Sequence, residues 1–120
     1  MKAKYEVIVT SVGNLARTFL QNNNSAIILD EGLRPNLSDM VIEHTIGNLN
    51  QDIKVGDRLQ IDAVDFKVIS VGQTANDDIR EEGHCTLVFN AEGSMPGQII
   101  VSGEKKPIVT IGSKIAFCGK

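Results

Sequence analysis

The sequence predicts a mostly β protein, a small closed or nearly closed β-barrel of about eight short strands with one or two short helices. Three observations carry this. The chain has four Phe, one Tyr and no Trp, so its core is aliphatic, and its Val and Ile suit a pleated surface. Short segments alternate apolar and polar residues at period two. Clusters of Gly, Pro, Asn and Asp interrupt these segments before any long helix can form. The 120 residues read as a single domain over 1–120, large enough to bury a core without staples.

Taken in order, Lys4–Val12 alternates and reads as a strand ending at Gly13. Asn14–Leu20 changes to helical spacing through Leu15, Ala16, Phe19 and Leu20, with Asn14 as N-cap. The polar run Gln21–Ser25 stops that helix. Ala26–Leu29 is a strand, turned by Asp30-Glu31-Gly32, and Pro35 keeps the next residues out of regular helix. Met40–Gly47 follows as a strand. Ile53–Ile61 reads as an approach, a Gly56-Asp57 turn and a strand. Ala63–Val71 pairs with it as a hairpin through residues 62–65. Thr74–Glu82 is an acidic helix with Thr74 and Asp77 as a capping box and Gly83 as its stop. His84–Asn90 is a strand, Ala91–Gly97 a loop, Gln98–Ser102 a strand, and Val109–Cys118 a turn and strand.

One internal echo links Ile53–Ile61 with Val109–Phe117. Gly56 matches Gly112, Arg58 matches Lys114, and Leu59 matches Ile115. A glycine at that place supports a tight turn before a barrel strand. Two readings stay open: common small-barrel grammar, or a pseudo-symmetric pair of corners.

Several function classes are excluded by composition and motif. The net charge is −3 and no basic run exceeds Lys105-Lys106, so no phosphate-neutralising patch for nucleic acid is visible. Met1-Lys2-Ala3-Lys4 leads into a strand-like segment without the apolar region of a signal peptide. No segment reaches the roughly 20 apolar residues of a membrane span. Cys85 and Cys118 lack metal spacing and read as reduced thiols of a cytoplasmic protein. No P-loop, dinucleotide fingerprint or nucleophile elbow is present, so no cofactor and no metal are expected. Lys105 lacks the flanking residues of a swinging-arm lysine. Asp77, Asp78, Glu81 and Glu82 read as a solvated helix face.

The histidines remain. In Met40–Gly47, period two puts Met40, Ile42, His44 and Ile46 on one face. An imidazole among apolar neighbours is either quietly satisfied or present for chemistry. His84 opens its own strand, and its default roles are capping the preceding helix or filling a strand end. Composition and periodicity alone stop at a small acidic β-barrel.

Three blocks of residues resemble a known family. The first is Glu31-Gly32, Pro35, Leu37, Ile42 and His44. The second is Val71-Gly72, Ala75, Ile79-Arg80-Glu81, Gly83-His84, Thr86-Leu87 and Phe89. The third is Pro96-Gly97, Ile99, Val101 and Gly103. Their order and spacing, over nearly the whole chain, resemble the IIA component of the glucitol/sorbitol-specific phosphotransferase system. That resemblance implies a phosphoryl carrier. Such a protein accepts a phosphoryl group from the phosphocarrier HPr and passes it to a cysteine of the cognate IIB component, for alditol uptake through the membrane component. It implies His44 as the phosphorylated residue, where this chain continues with Thr45-Ile46-Gly47.

Residue chemistry agrees with that assignment. A neutral imidazole is a competent nucleophile near neutral pH, and an apolar surrounding disfavours the imidazolium. Positioning and donors for the phosphoryl oxygens suffice beyond that. His84 is the candidate for the supporting role, with Thr45, Thr86 and the backbone N–H of Gly47 as further donors. Arg80 could supply charge, with an ion pair on its own helix as its default.

This reading places His44 in a shallow, partly apolar surface patch that two partners can reach. His44→Ala would then leave stability nearly unchanged. An exposed apolar strand would also support a homodimer. The competing class is a non-catalytic binding or adaptor barrel in which both histidines are structural. A third reading keeps the relay and changes only the sugar.

Overall fold

A computed structural model describes residues 3–93 and 95–119. Met1, Lys2, Ser94 of the expected Ala91–Gly97 loop, and Lys120 lie outside the described residues. Eight strands form one ring: β1 (Ala3–Val12), β2 (Ser25–Asp30), β3 (Ile42–His44), β4 (Arg58–Ile61), β5 (Val64–Val71), β6 (Cys85–Phe89), β7 (Gln98–Ser102) and β8 (Lys114–Cys118). The helices are α1 (Asn14–Asn23) and α2 (Ala75–Glu82), with a single 3-10 turn at Pro35–Leu37. The order around the barrel is β1-β3-β2-β6-β7-β5-β4-β8, and it closes. The β-barrel, its eight strands and its two short helices are therefore as the sequence predicts. Closure also removes any open strand edge among the described residues, and with it the strand-pairing argument for a homodimer.

The barrel is two copies of one β-α-β-β-β unit. The first is β1-α1-β2-β3-β4 and the second β5-α2-β6-β7-β8. β1 pairs with β3 through Val9–His44, Ser11–Glu43 and Val12–Ile42, with a register shift between Val9 and Ser11. β5 pairs with β7 through Val68–Val101, Ser70–Ile100 and Val71–Ile99, with the shift between Val68 and Ser70. β2 and β3 are parallel, and so are β6 and β7. β2–β6 and β4–β8 are antiparallel seams whose registers map onto themselves when the halves are exchanged.

The corners repeat as well. Gly56 and Gly112 have φ of 95° and 94°. Asp57 Oδ2 accepts from Lys54 N at 2.8 Å, and Ser113 Oγ accepts from Thr110 N at 3.0 Å. Val68 N donates to Asp57 O and Val9 N to Ser113 O, both at 2.8 Å. The echo seen in the sequence is thus the pseudo-symmetric pair of corners. A second echo joins the two halves: Val9–Ala16 is VTSVGNLA and Val68–Ala75 is VISVGQTA. Its glycines have the same cause. A Cβ on Gly13 would run into the backbone of Asp39, and one on Gly72 into that of Pro96.

Three local expectations change. The strand expected over Met40–Gly47 shrinks to Ile42–His44, leaving Met40 38 % and Ile46 74 % exposed. Asp39 causes the early break: its carbonyl accepts from Leu15 N and Ala16 N, which bends the chain before Met40. Asn14 is not an N-cap by its side chain. Its own N–H donates to Asp39 Oδ1 at 3.2 Å, so a loop residue caps α1. The expected capping box at Thr74 is absent too, since Thr74 Oγ1 bonds Asp78 Oδ2 at 3.1 Å and no side chain caps that end. α1 runs on to Asn23 because Asn24 takes the left-handed cap conformation, φ 54°, a role Asn tolerates.

Candidate functional site

β3 sits between β1 and β2, and its three residues are all buried. Ile42 joins the core, while Glu43 on the outer face accepts from Gly32 N at 3.1 Å. His44 shares the inner face with Ile42 and is wholly buried. This overturns the expected surface patch: a strand paired on both sides and closed into a barrel has no exposed inner face. The ring's Nδ1 lies 2.7 Å from Thr45 O and its Nε2 2.9 Å from Gly83 O. Two carbonyl acceptors therefore face a ring that has only one N–H when neutral.

Asp30 is the parallel-strand partner of His44. Its Oδ1 lies 3.7 Å from His44 Nδ1, is buried, and has no hydrogen-bond partner among the described residues. Burial raises the Asp30 pKa from the ordinary carboxylate range; Glu82 and Glu31 add to this and His44 opposes it. Tyr5 stands edge-on to the imidazole, with ring centroids 6.1 Å apart, and its buried hydroxyl is also unpartnered. Burial first, then Asp30 and Cys85, raises the Tyr5 pKa. Gly83 closes the cluster from the end of α2. Its φ is 62°, and a Cβ there would overlap Asp30 Oδ1 and come within 2.7 Å of His44 Cε1.

The pseudo-symmetry marks this cluster as a departure from plain barrel architecture. The registers that equate Val9 with Val68 equate Tyr5 with Val64, Asp30 with Phe89, and His44 with Val101. In the second half these positions are apolar; Phe89 and Val101 are core, and Val64 packs against it. In the first half the same three positions carry a phenol, a carboxylate and an imidazole. The fold does not need them, since its other half closes without them.

His84 lies on the other side of the Gly83–His84 peptide. It is half-buried and lines an outer groove of about 270 Å³, with Leu29, Leu37, Met40 and Val41 as apolar wall and Arg34 and Glu82 as polar rim. Arg34 pairs with Glu82 at 2.8 Å. The two histidines are thus separated by one peptide plane, one inside the barrel and one outside.

The remaining expected site residues are placed as follows. Thr45 adjoins the ring through its carbonyl, while its Oγ1 accepts from Ile8 N at 3.0 Å. Gly47 lies against the side chains of Val7 and Tyr5, where a Cβ would clash. Thr86 pairs with Ile27 and Gln98 on β6, two strands from β3, and is not brought to His44. Arg80 is tied to Asp52 at 2.6 Å instead of to a neighbour on its own helix. Cys85 and Cys118 are free and buried. Tyr5, Asp30 and Gly83 were not singled out for the site. Aligning Val9–Ala16 with Val68–Ala75 and continuing to β2 and β6 sets Asp30 against Phe89, which is the signal that would have found it.

A closed mixed barrel in which one half has exchanged core residues for a buried histidine–carboxylate pair defines a small histidine-bearing barrel domain. The chain belongs to the family of PTS system glucitol/sorbitol-specific IIA components, whose family model matches residues 4–116. It is 29 % identical over 119 residues to the PTS system glucitol/sorbitol-specific EIIA component of Shigella flexneri, covering 98 % of this chain and 96 % of that protein. The same values hold for the component of that name from Escherichia coli (strain K12). The fold is similar to the crystal structure of a PTS system IIA component from Enterococcus faecalis V583, with TM-score 0.83 and 20 % identity over 94 % of this chain and 98 % of that one. The protein is accordingly a phosphotransferase-system IIA component, a phosphoryl carrier by class. Among the described residues, no helix is long and apolar enough to cross a membrane.

Proposed function

We propose that His44 is the residue that carries the phosphoryl group. It takes the group from phospho-HPr and passes it to a cysteine of the cognate IIB component, in the cytoplasm, for phosphorylation of an imported alditol. The observation that carries this reading is the placing of Tyr5, Asp30 and His44 where the other half of the barrel has Val64, Phe89 and Val101. A buried imidazole beside an unpartnered carboxylate is costly for a core, and a use in chemistry accounts for it.

The resting ring is closed off, so transfer requires a local opening. Nδ1 meets the carbonyl of the next residue, Thr45, whereas Nε2 meets the Gly83 carbonyl at the end of an eight-residue helix. Freeing Nε2 requires only that the Gly83 carbonyl move off it, and short helix ends open at the low end of the stability range. Moving that peptide exposes Nε2 toward the groove that holds His84 and Arg34. There His84, with Arg34 released from Glu82, would stabilise phosphoryl oxygens.

The test is phosphorylation with phosphoenolpyruvate, the general phosphotransferase enzyme and HPr, read by intact mass. An acid-labile, base-stable phosphate that His44→Ala abolishes and His84→Ala only slows is the expected result. Loss only with His84→Ala moves the acceptor to His84, a second reading that its half-exposed place on the groove favours. No modification would return the protein to the adaptor class.

A further inference from the structure

We propose that Asp30 is the positioning residue of the carrier histidine, holding the Nδ1 edge of the His44 ring so that the Nε2 lone pair is free to attack once the Gly83 peptide moves away. The inference rests on His44 as the acceptor. Four observations support it. Parallel register sets Asp30 beside His44 at the end of the β2–β3 ladder. Asp30 Oδ1 is buried without a partner and lies 3.7 Å from Nδ1, close enough for a small ring rotation to complete the bond. Gly83 is packed against both side chains at once, whereas its counterpart Asn24 carries a side chain. The counterpart of the pair, Phe89 and Val101, is apolar.

In the resting arrangement a neutral ring satisfies one of its two facing carbonyls. With the proton on Nδ1, the Nε2 lone pair opposes that of Gly83 O at 2.9 Å. Rotation toward Asp30 relieves this contact and trades the Thr45 carbonyl for a carboxylate, a charge-assisted bond. In the transfer, the Nε2 lone pair forms the new N–P bond. The donor's N–P bond breaks, and its electron pair returns to the donor nitrogen. Nδ1 keeps its proton, so the phosphorylated ring gains a positive charge that lies against Asp30. Delivery to a thiolate reverses this: the S–P bond forms, and the Nε2–P pair returns to the ring. The titratable and charged groups around Asp30 are His44 on β3, Tyr5 on β1, Glu31 at its own strand end and Glu82 on α2, with Glu82 tied to Arg34.

The experiment measures phosphoryl uptake from phospho-HPr against pH for wild type and Asp30→Asn, together with 15N spectra of the His44 ring. Asp30→Asn keeps the shape and removes the charge. A loss of about tenfold to a hundredfold in rate at neutral pH, an altered pH profile, and a shift from the Nδ1–H tautomer to a mixture are expected. Wild-type rate and profile in Asp30→Asn would overturn the role of Asp30 and leave the carrier reading intact. Wild-type phosphate on His84, or none, would overturn the carrier reading, while the ring spectrum still decides whether Asp30 orients His44. The wild-type spectrum alone decides it if the variant does not fold: an Nε2–H tautomer rules the proposal out.

Discussion

Asp30 Oδ1 lies 3.7 Å from His44 Nδ1 because β2 and β3 run parallel and set the two residues opposite each other. The same ladder in the other half sets Phe89 opposite Val101. One backbone relationship therefore serves packing in one half and a polar pair in the other.

Removing the imidazole alone is costly. His44→Ala leaves a cavity, a buried carbonyl without its donor, and a carboxylate without its neighbour. A loss of about 2–4 kcal/mol is expected in urea unfolding. Stability therefore cannot distinguish a functional His44 from a structural one. Replacing both residues by valine, nearer the chemistry of the other half, should be less destabilising than His44→Val alone by about 1–2 kcal/mol. Additive costs would show that the two side chains are not coupled.

Gly83→Ala should injure both stability and transfer. The left-handed backbone strains any side chain, at about 1–2 kcal/mol. The added Cβ also meets Asp30 and His44 directly. Gly112→Ala is the control: its φ is 94°, yet nothing lies within 4 Å of the Cβ site. It should cost about 1–2 kcal/mol and leave phosphoryl uptake unchanged. Equal uptake in the two variants would show that contact at Gly83 does not matter.

The pH dependence of stability follows from Asp30, whose pKa burial raises in the folded state. Between the ordinary carboxylate pKa and the raised one, the folded protein holds a proton that the unfolded chain has lost. This group's contribution to stability therefore falls as pH rises through that window. Its penalty is absent below the window and full above it. Asp30→Asn should gain in Tm relative to wild type as pH increases from about 3 to about 7. A constant difference across that range would contradict the shift.

Cys85 should be inert. It is fully buried and burial raises its thiol pKa, so little nucleophilic thiolate exists near neutral pH. Iodoacetamide should label it only after denaturation. Rapid labelling of the native protein would show that the α2–β6 end opens widely, which would also bear on how His44 is reached.

Much of the barrel was legible because its signals are local. Gln98–Ser102 is a short β-branched run between turn residues and is a strand at those bounds. Gly83 stops its helix in the left-handed conformation the sequence suggests. Structure departs from local signals where a distant group decides the outcome. Asn14 looks like an N-cap, yet Asp39 supplies the cap from a loop. Met40–Gly47 alternates like a long strand, yet the same Asp39 bends it early. Asp30 reads as the start of a turn, and only its pairing with His44 makes it part of a site.

The sequence by itself determined the fold class, the two corner turns and the two histidines, because periodicity, turn glycines and residue chemistry act over a few positions. Only the tertiary structure decided that His44 is buried, that Asp30 and Tyr5 join it, and that one peptide plane separates it from His84. Those facts depend on ring closure and parallel register between strands distant in sequence. Closure turns one face of every strand inward, and the Gly83 peptide at the end of α2 covers the ring's Nε2 edge, which together take His44 out of solvent.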